Sequence, residues 1–329
     1  MFLLFAMTAL IIACNHASNP AVTSPTDCRT IQHAMGESCV PTTPQRLVAL
    51  SSPTMADAIA LGVRPIGTVL QDFDFQKAPP YLEGRLQGIE IVGKEEQPDL
   101  EKILSLKPDL IIGLQYDSEP VYDKLSQISP TVLDDWKGYP SWKEHFDFVA
   151  QALGKTEAAQ QIWSQYDQRI QELRTALGPA YSDLEISFVR VCCGNWATDV
   201  KNSFSGMILE DVGLSRPPAQ DIEVENGLVF LSEEALTQFD GDIIFLVVDA
   251  DQDSADALEQ LKQKPLWHKL KAVQQGKVYP VNLATWRGGN PLAADAVIDD
   301  LFKYLVKVPD SQGSKSDHKN TMAENAPTR

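Results

Sequence analysis

The chain has 329 residues, 45 acidic against 28 basic side chains, and a net charge of −17. The acidity is spread along the chain, which excludes nucleic acid and bare anionic membrane surfaces as partners. With 43% hydrophobic residues, the folded part, roughly 280 residues, exceeds one comfortable core, so two lobes are expected.

The first segment, MFLLFAMTALIIAC, is apolar apart from Thr8 and too short to span a bilayer. Ile11-Ile12-Ala13-Cys14 resembles a bacterial lipobox, in which residues 1–13 are removed as a signal and the Cys14 thiol is lipidated. An unmodified cysteine behind an ordinary signal peptide is the competing reading. No Lys or Arg precedes the run, a departure from the usual signal pattern. Residues 14–38 open with a polar stretch rich in Pro, Ser and Asn and read as a flexible tether. In an oxidising compartment Cys28 and Cys39 can close a short loop as a disulfide; two free thiols are the alternative.

Residues 39–154 read as a first αβ lobe. RLVALS is a strand, and TMADAIALG is a helix with Thr54 as N-cap and Gly62 as its stop. RPIGTVL is the next strand. PDLEKILSLKPDLIIGL gives a helix with Leu100, Ile103 and Leu104 on one face, broken at Pro108, then a buried strand. YDKLSQISPTVLDD repeats the plan. Such alternation means parallel strands covered by helices.

Residues 155–178 place Ile162, Tyr166, Ile170, Leu173 and Leu177 at helical spacing. A helix of this length reaches about 35 Å, the diameter of a lobe, and reads as a rigid strut. Residues 179–308 then repeat the αβ plan as a second lobe, and residues 309–329 read as a polar disordered tail. The fold class is therefore α/β: two Rossmann-like lobes joined by one long helix, with a ligand cleft between the carboxyl ends of their strands.

Catalytic signatures are missing. There is no HExxH, GxxxxGK[ST] or GxSxG, and SFSG around Ser205 lacks the glycine two residues before the serine. The histidines His16, His33, His145, His268 and His318 have no ligand spacing. Asp134-Asp135 and Asp299-Asp300 read as solvated faces, and Gly288-Gly289 as a turn. No nucleophile, base, metal site or cofactor is nominated.

The ordered set CVPTTPQRLVALS, VGKEEQPDLEKILSLKPDLIIG, KLSQISPTV, SFSGMILEDVGLSRPP, KPLWHKLKAVQQGKVYPV and ATWRGGNPLAADAVIDDLFKYL resembles the periplasmic ferric-siderophore binding proteins of ABC importers, the ferric-citrate and hydroxamate group above all. The likeness runs from about Cys39 to Leu305. It implies two lobes with one interlobe helix, limited hinge motion, and a periplasmic, monomeric, lipid-anchored receptor that is no enzyme. Its partners would be a ferric siderophore and an ABC permease. Corrinoid and haem receptors share single motifs with this group and stay open, as does, from another class, a surface-anchored αβ hydrolase.

Site residues follow from strand ends. In VRVCCGNW, Arg190 closes a strand of the second lobe and suits an anionic chelate, because its guanidinium fork binds carboxylate in bidentate fashion. A structural ion pair is the competing role. Trp286-Arg287 ends VYPVNLATW as a second anchor, with Trp196 as a further wall; lobe core is the alternative for both tryptophans. Gln71 and Tyr116 close strands of the first lobe. Cys192 and Cys193 read as bystanders or as support behind the site, since a chelated iron needs no protein thiol; direct metal ligation and a strained vicinal disulfide are the alternatives. The resemblance further implies an acid on each lobe for permease docking, Asp57 and Glu210, against ordinary solvated helix faces.

Overall fold

The structure is a computed structural model that describes residues 28–70, 78–181, 183–192, 195–232, 234–248 and 252–306. Its first lobe contains β1 (Cys28–His33), β2 (Gly36–Pro41), β3 (Leu47–Ala49), α1 (Ser52–Ala60), β4 (Gly67–Leu70), β5 (Glu90–Lys94), β6 (Gln97–Pro98), α2 (Leu100–Leu106), β7 (Leu110–Leu114), α3 (Gln115–Ser118), α4 (Tyr122–Ile128), β8 (Thr131–Asp134) and α5 (Trp142–Leu153). The connecting helix is α6 (Thr156–Leu177). The second lobe follows with β9 (Ile186–Cys192), β10 (Asn195–Asp199), α7 (Phe204–Val212), β11 (Leu228–Leu231), β12 (Ile243–Val248), α8 (Gln252–Gln263), α9 (Lys271–Gln274), β13 (Val278–Val281), α10 (Leu283–Trp286) and α11 (Pro291–Leu305).

The first sheet has the order β6-β5-β4-β3-β7-β8 and is parallel from β5 to β8. Its central strands β3 and β7 are continuous apolar runs buried at every position, as burial on both faces demands, whereas β5 at the sheet's flank carries Glu90 and Lys94. Ser51, not Thr54, caps α1: its Oγ accepts from the Thr54 N–H at 3.2 Å. In α2 only Ile103 is fully buried, and Leu104 faces solvent.

Residues 28–38 are not tether. β1 and β2 pair as an antiparallel hairpin that lies on β8, with the Ala34 N–H donating to the Leu133 carbonyl at 2.9 Å. Ile31 and Val40 are buried in the first-lobe core, and Arg29 donates to the carbonyls of Gln151 and Ala152 at the end of α5. A Cys28–Cys39 disulfide staples the hairpin. Residues 14–27, which hold the Pro-, Ser- and Asn-rich stretch that suggests a tether, lie outside the described residues.

The second sheet, β11-β10-β9-β12-β13, is only half a repeat of the first. β9, β12 and β13 are parallel, whereas β9, β10 and β11 run antiparallel. Cys192 pairs with Asn195 and Arg190 with Ala197, so the two strands of VRVCCGNW lie antiparallel, side by side.

Helix α6 serves both cores. Ala159 packs in the first lobe, while Tyr166, Ile170, Leu173 and Leu177 join Phe188, Val297 and Leu301 in the second. Arg169 pairs with Asp295 and Asp299 of α11. Across the lobes, Lys143 of α5 reaches Asp211 of α7 at 2.7 Å, and Tyr166 donates to the same carboxylate at 2.5 Å.

Candidate ligand-binding cleft

The loop that follows β8 meets the second lobe at the turn after α10. After β8, a glycine-proline loop holds Trp136 and Tyr139, whose rings meet edge to face at 5.9 Å. Tyr139 reaches across: the Arg287 guanidinium lies 5.0 Å from its ring centroid. Gly289 (φ +61°) permits this approach, since a Cβ there would stand 3.1 Å from the tyrosine ring. Beside it, the Asn290 amide donates to the Tyr81 hydroxyl at 3.4 Å.

Arg190 and Arg287 therefore share one region. β9 alternates, with Ile186 and Phe188 in the core shared with α6 and α11, and Val189 and Val191 on the opposite face. Arg190 projects from the Phe188 side. Burial pushes the Tyr139 phenol up, the charge of Arg287 pulls it down, Asp199 and Glu95 push it up again, and Arg190 adds the smallest downward pull. Arg287 Nε also lies 3.7 Å from Asp199 of β10.

On the first-lobe side, Tyr116 opens α3 rather than a loop and is 60% exposed. Burial of its hydroxyl end, then Asp117 and Glu95, raise its pKa, and Tyr139 contributes. Glu95 accepts from the Ser52 N–H at the start of α1 at 3.1 Å. The named first-lobe groups here are rings and an acid; the named cations come from the second lobe.

Three sequence expectations are corrected. Trp286 is no cleft wall: it ends a one-turn helix, not a strand, and is 0% exposed. It packs on Phe188 and Phe245 and donates to Asp300 at 2.8 Å. Trp196 pairs with Val191 and packs with the Val189 and Val191 face, so the sheet separates it from Arg190. Asp57 is no docking acid, being 0% exposed under α5, with His145 Nε2 at 3.7 Å. Burial, then Asp134 and Asp147, hold its carboxyl well above the usual range.

The acidic pairs are split: Asp135 and Asp299 are exposed as expected, Asp299 pairing with Arg169 at the surface, whereas Asp134 contacts His145 Nδ1 at 2.7 Å and Asp300 accepts from Trp286. Glu210 does remain exposed, with Lys201 at 3.4 Å. Ser205 is buried inside α7, and its Oγ has no hydrogen-bond partner among the described residues, so no base there activates it. Among the described residues no cluster of three or more His, Cys, Asp or Glu is arranged for a metal ion. Cys14, Gln71 and Cys193 lie outside the described residues.

Sequence reasoning missed Tyr139, Asp199 and Arg216. Tyr139 sits in KGYPSW, a loop directly after a parallel strand, and the strand-end rule that found Arg190 could have found it. Asp199, in the apolar strand NWATDV, was legible as a charge out of place. Arg216 gave no sequence signal; only tertiary packing puts it behind Asp199.

Comparison with known proteins agrees with this architecture. The family described as "Periplasmic binding protein" matches residues 47–282, and the chain belongs to that family. It is 31% identical to the probable siderophore-binding lipoprotein YfiY of Bacillus subtilis, covering 93% of this chain and 98% of the relative. It is 28% identical to the Fe(3+) dicitrate-binding periplasmic protein FecB of Escherichia coli, over 94% and 97%. Among solved structures, Staphylococcus aureus SirA complexed with staphyloferrin B superposes with a TM-score of 0.74 at 31% identity, covering 84% of this chain and 98% of that one.

Proposed function

We propose that this protein captures a ferric siderophore of the citrate or hydroxamate type between its lobes and delivers it to an ABC importer. The observation that carries the reading is the Arg287 guanidinium stacked on Tyr139 where the lobes meet, with Arg190 on the same sheet face as Asp199, the carboxylate beside Arg287. Guanidinium groups bind carboxylate oxygens, and an aromatic ring packs on the chelate's apolar backbone. A ferric siderophore fills its own coordination sphere, so the protein recognises the shell and needs no ligand atoms for iron. The protein works without catalysis or cofactor, as a monomer in the periplasm, held to the membrane through lipid on Cys14. Glu210 supplies the second-lobe docking acid. The named relatives bind iron chelates, which favours this reading over a corrinoid or haem receptor and over a hydrolase.

Titration of intrinsic fluorescence with ferric citrate, a ferric citrate-hydroxamate and a ferric tris-catecholate tests it. Trp136, beside Tyr139, is the expected reporter. Quenching by the first two at micromolar concentration is the expected result. No response to any of the three would overturn the reading.

A further inference from the structure

One buried charge has no part in that reading. Asp199 ends β10 with 1% exposure, in a site for anions. A carboxylate there repels the proposed ligand unless it serves the cations. Ala197 pairs with Arg190, so Asp199, two residues further along β10, projects from the face of the sheet that carries Arg190. Arg287 brings its Nε to within 3.7 Å of Asp199 Oδ2. Behind them Arg216, itself buried, donates to the Asp199 backbone carbonyl through Nη2 and to the Val200 carbonyl at 3.2 Å through Nη1. Gly206 leaves room for it, because a Cβ there would stand 2.6 Å from Arg216 Nη1.

Arg287 is thus held along one edge by Asp199 and across its face by the Tyr139 ring. Among the described residues its terminal nitrogens donate no hydrogen bond, so the fork itself stays available. Two like-charged guanidinium groups in one cleft also repel each other, and a carboxylate on the same face offsets that repulsion.

We infer that Asp199 is a positioning residue: it fixes the Nε edge of Arg287 so that the Nη pair faces the cleft, and thereby makes the site prefer chelates with a free carboxylate over electroneutral ones. The inference rests on the chelate-binding reading above. Its opposite is specific. If Asp199 only dilutes positive charge, removing that charge must tighten the binding of an anion.

The full chain and its Asp199→Asn variant are titrated with ferric citrate and with an electroneutral ferric trihydroxamate. Positioning predicts that ferric citrate binding weakens by about tenfold, equivalent to about 1.4 kcal/mol, although the protein has gained positive charge, while the neutral chelate is unaffected. Tighter or unchanged ferric citrate binding overturns the inference. In an Arg287→Gln background, Asp199→Asn should add no further loss; an additive loss overturns it as well. Should Asp199→Asn fail to fold, Asp199→Glu keeps the charge one methylene away and should show a partial, citrate-selective loss; equal loss for both chelates marks a structural role only. A ligand-free measurement separates this inference from the function. The Arg287 Nε–H resonance in nitrogen-15 spectra, assigned by its loss in Arg287→Gln, should shift and exchange faster with water in whichever Asp199 variant folds. An unmoved resonance overturns the positioning role even if no chelate binds; absence of all chelate binding instead removes the proposed function and leaves this resonance to decide on Asp199.

Discussion

The first lobe meets the cleft with rings and the second with guanidinium groups, although both were built on one αβ plan. Each lobe also buries an acid near the cleft, and the two acids have different surroundings. Asp57 lies under α5 with a histidine at 3.7 Å, and burial, then Asp134 and Asp147, raise its carboxyl well above the usual range, which favours the neutral form. Asp199 lies beside Arg287 and behind it Arg216, whose own pKa burial lowers to about 10. A buried carboxylate is tolerated when protonated or when faced by fixed cations, and each lobe uses one of these solutions. Under the proposed function this gives a division of labour: the second lobe would carry charge recognition and the first would supply apolar contact.

The largest effect should come from the second lobe's core. Trp286→Ala removes a fully buried indole stacked on Phe188, and urea unfolding should show a loss of about 3–5 kcal/mol. A loss under about 1 kcal/mol would return Trp286 to the cleft wall. Next, Arg287→Gln or Arg190→Gln should weaken an anionic chelate by about 1.5–3 kcal/mol, read by fluorescence titration. Unchanged affinity in both variants would erase the contrast between the lobes. Tyr139→Leu removes the ring beneath Arg287 and should cost about 0.5–2 kcal/mol of the same affinity, a smaller effect than either arginine.

Asp57 gives a prediction of sign. Its folded carboxyl holds its proton more tightly than the unfolded one. The stabilisation is therefore complete below the unfolded value of about 4 and is lost as pH rises through the raised folded value. Asp57→Asn should stabilise the protein near neutral pH and converge with the parent below about pH 4, checked by urea unfolding across pH. The reverse order, with wild type more stable at pH 7, would mean that His145 secures an ionised Asp57. The smallest expected change is in Glu210→Gln. Melting and chelate binding should be unaltered, because its partner Lys201 is on the surface, while stimulation of the importer's ATP hydrolysis falls. Full stimulation would remove Glu210 from the docking surface.

The sequence was legible where signals are local and long. The 22-residue helix α6 emerged from its periodicity within a residue at each end. The strand-end rule nominates both Arg190 and Arg287, although Arg287 follows the one-turn helix α10 rather than a strand. Trp286 misled for a local reason: four residues cannot distinguish a strand from one helical turn, and the turn rotates the indole into the core. Asp57 misled for a non-local one. Its position on α1 was read correctly as a helix, but which face of that helix sees solvent was decided by α5, some ninety residues later, whose His145 covers it.

By itself, then, the order of residues determined two αβ lobes, the connecting helix and the Cys28–Cys39 pairing as an option, and it nominated the cationic anchors of the proposed function, because propensity, periodicity and strand-end position act over short spans. Only the tertiary structure decided that β1–β2 belongs to the first lobe, that β10 runs antiparallel, that Tyr139 crosses to Arg287, and that Asp199 and Arg216 stand behind that arginine. Those choices depend on burial and on contacts between distant segments, which no short stretch of chain encodes.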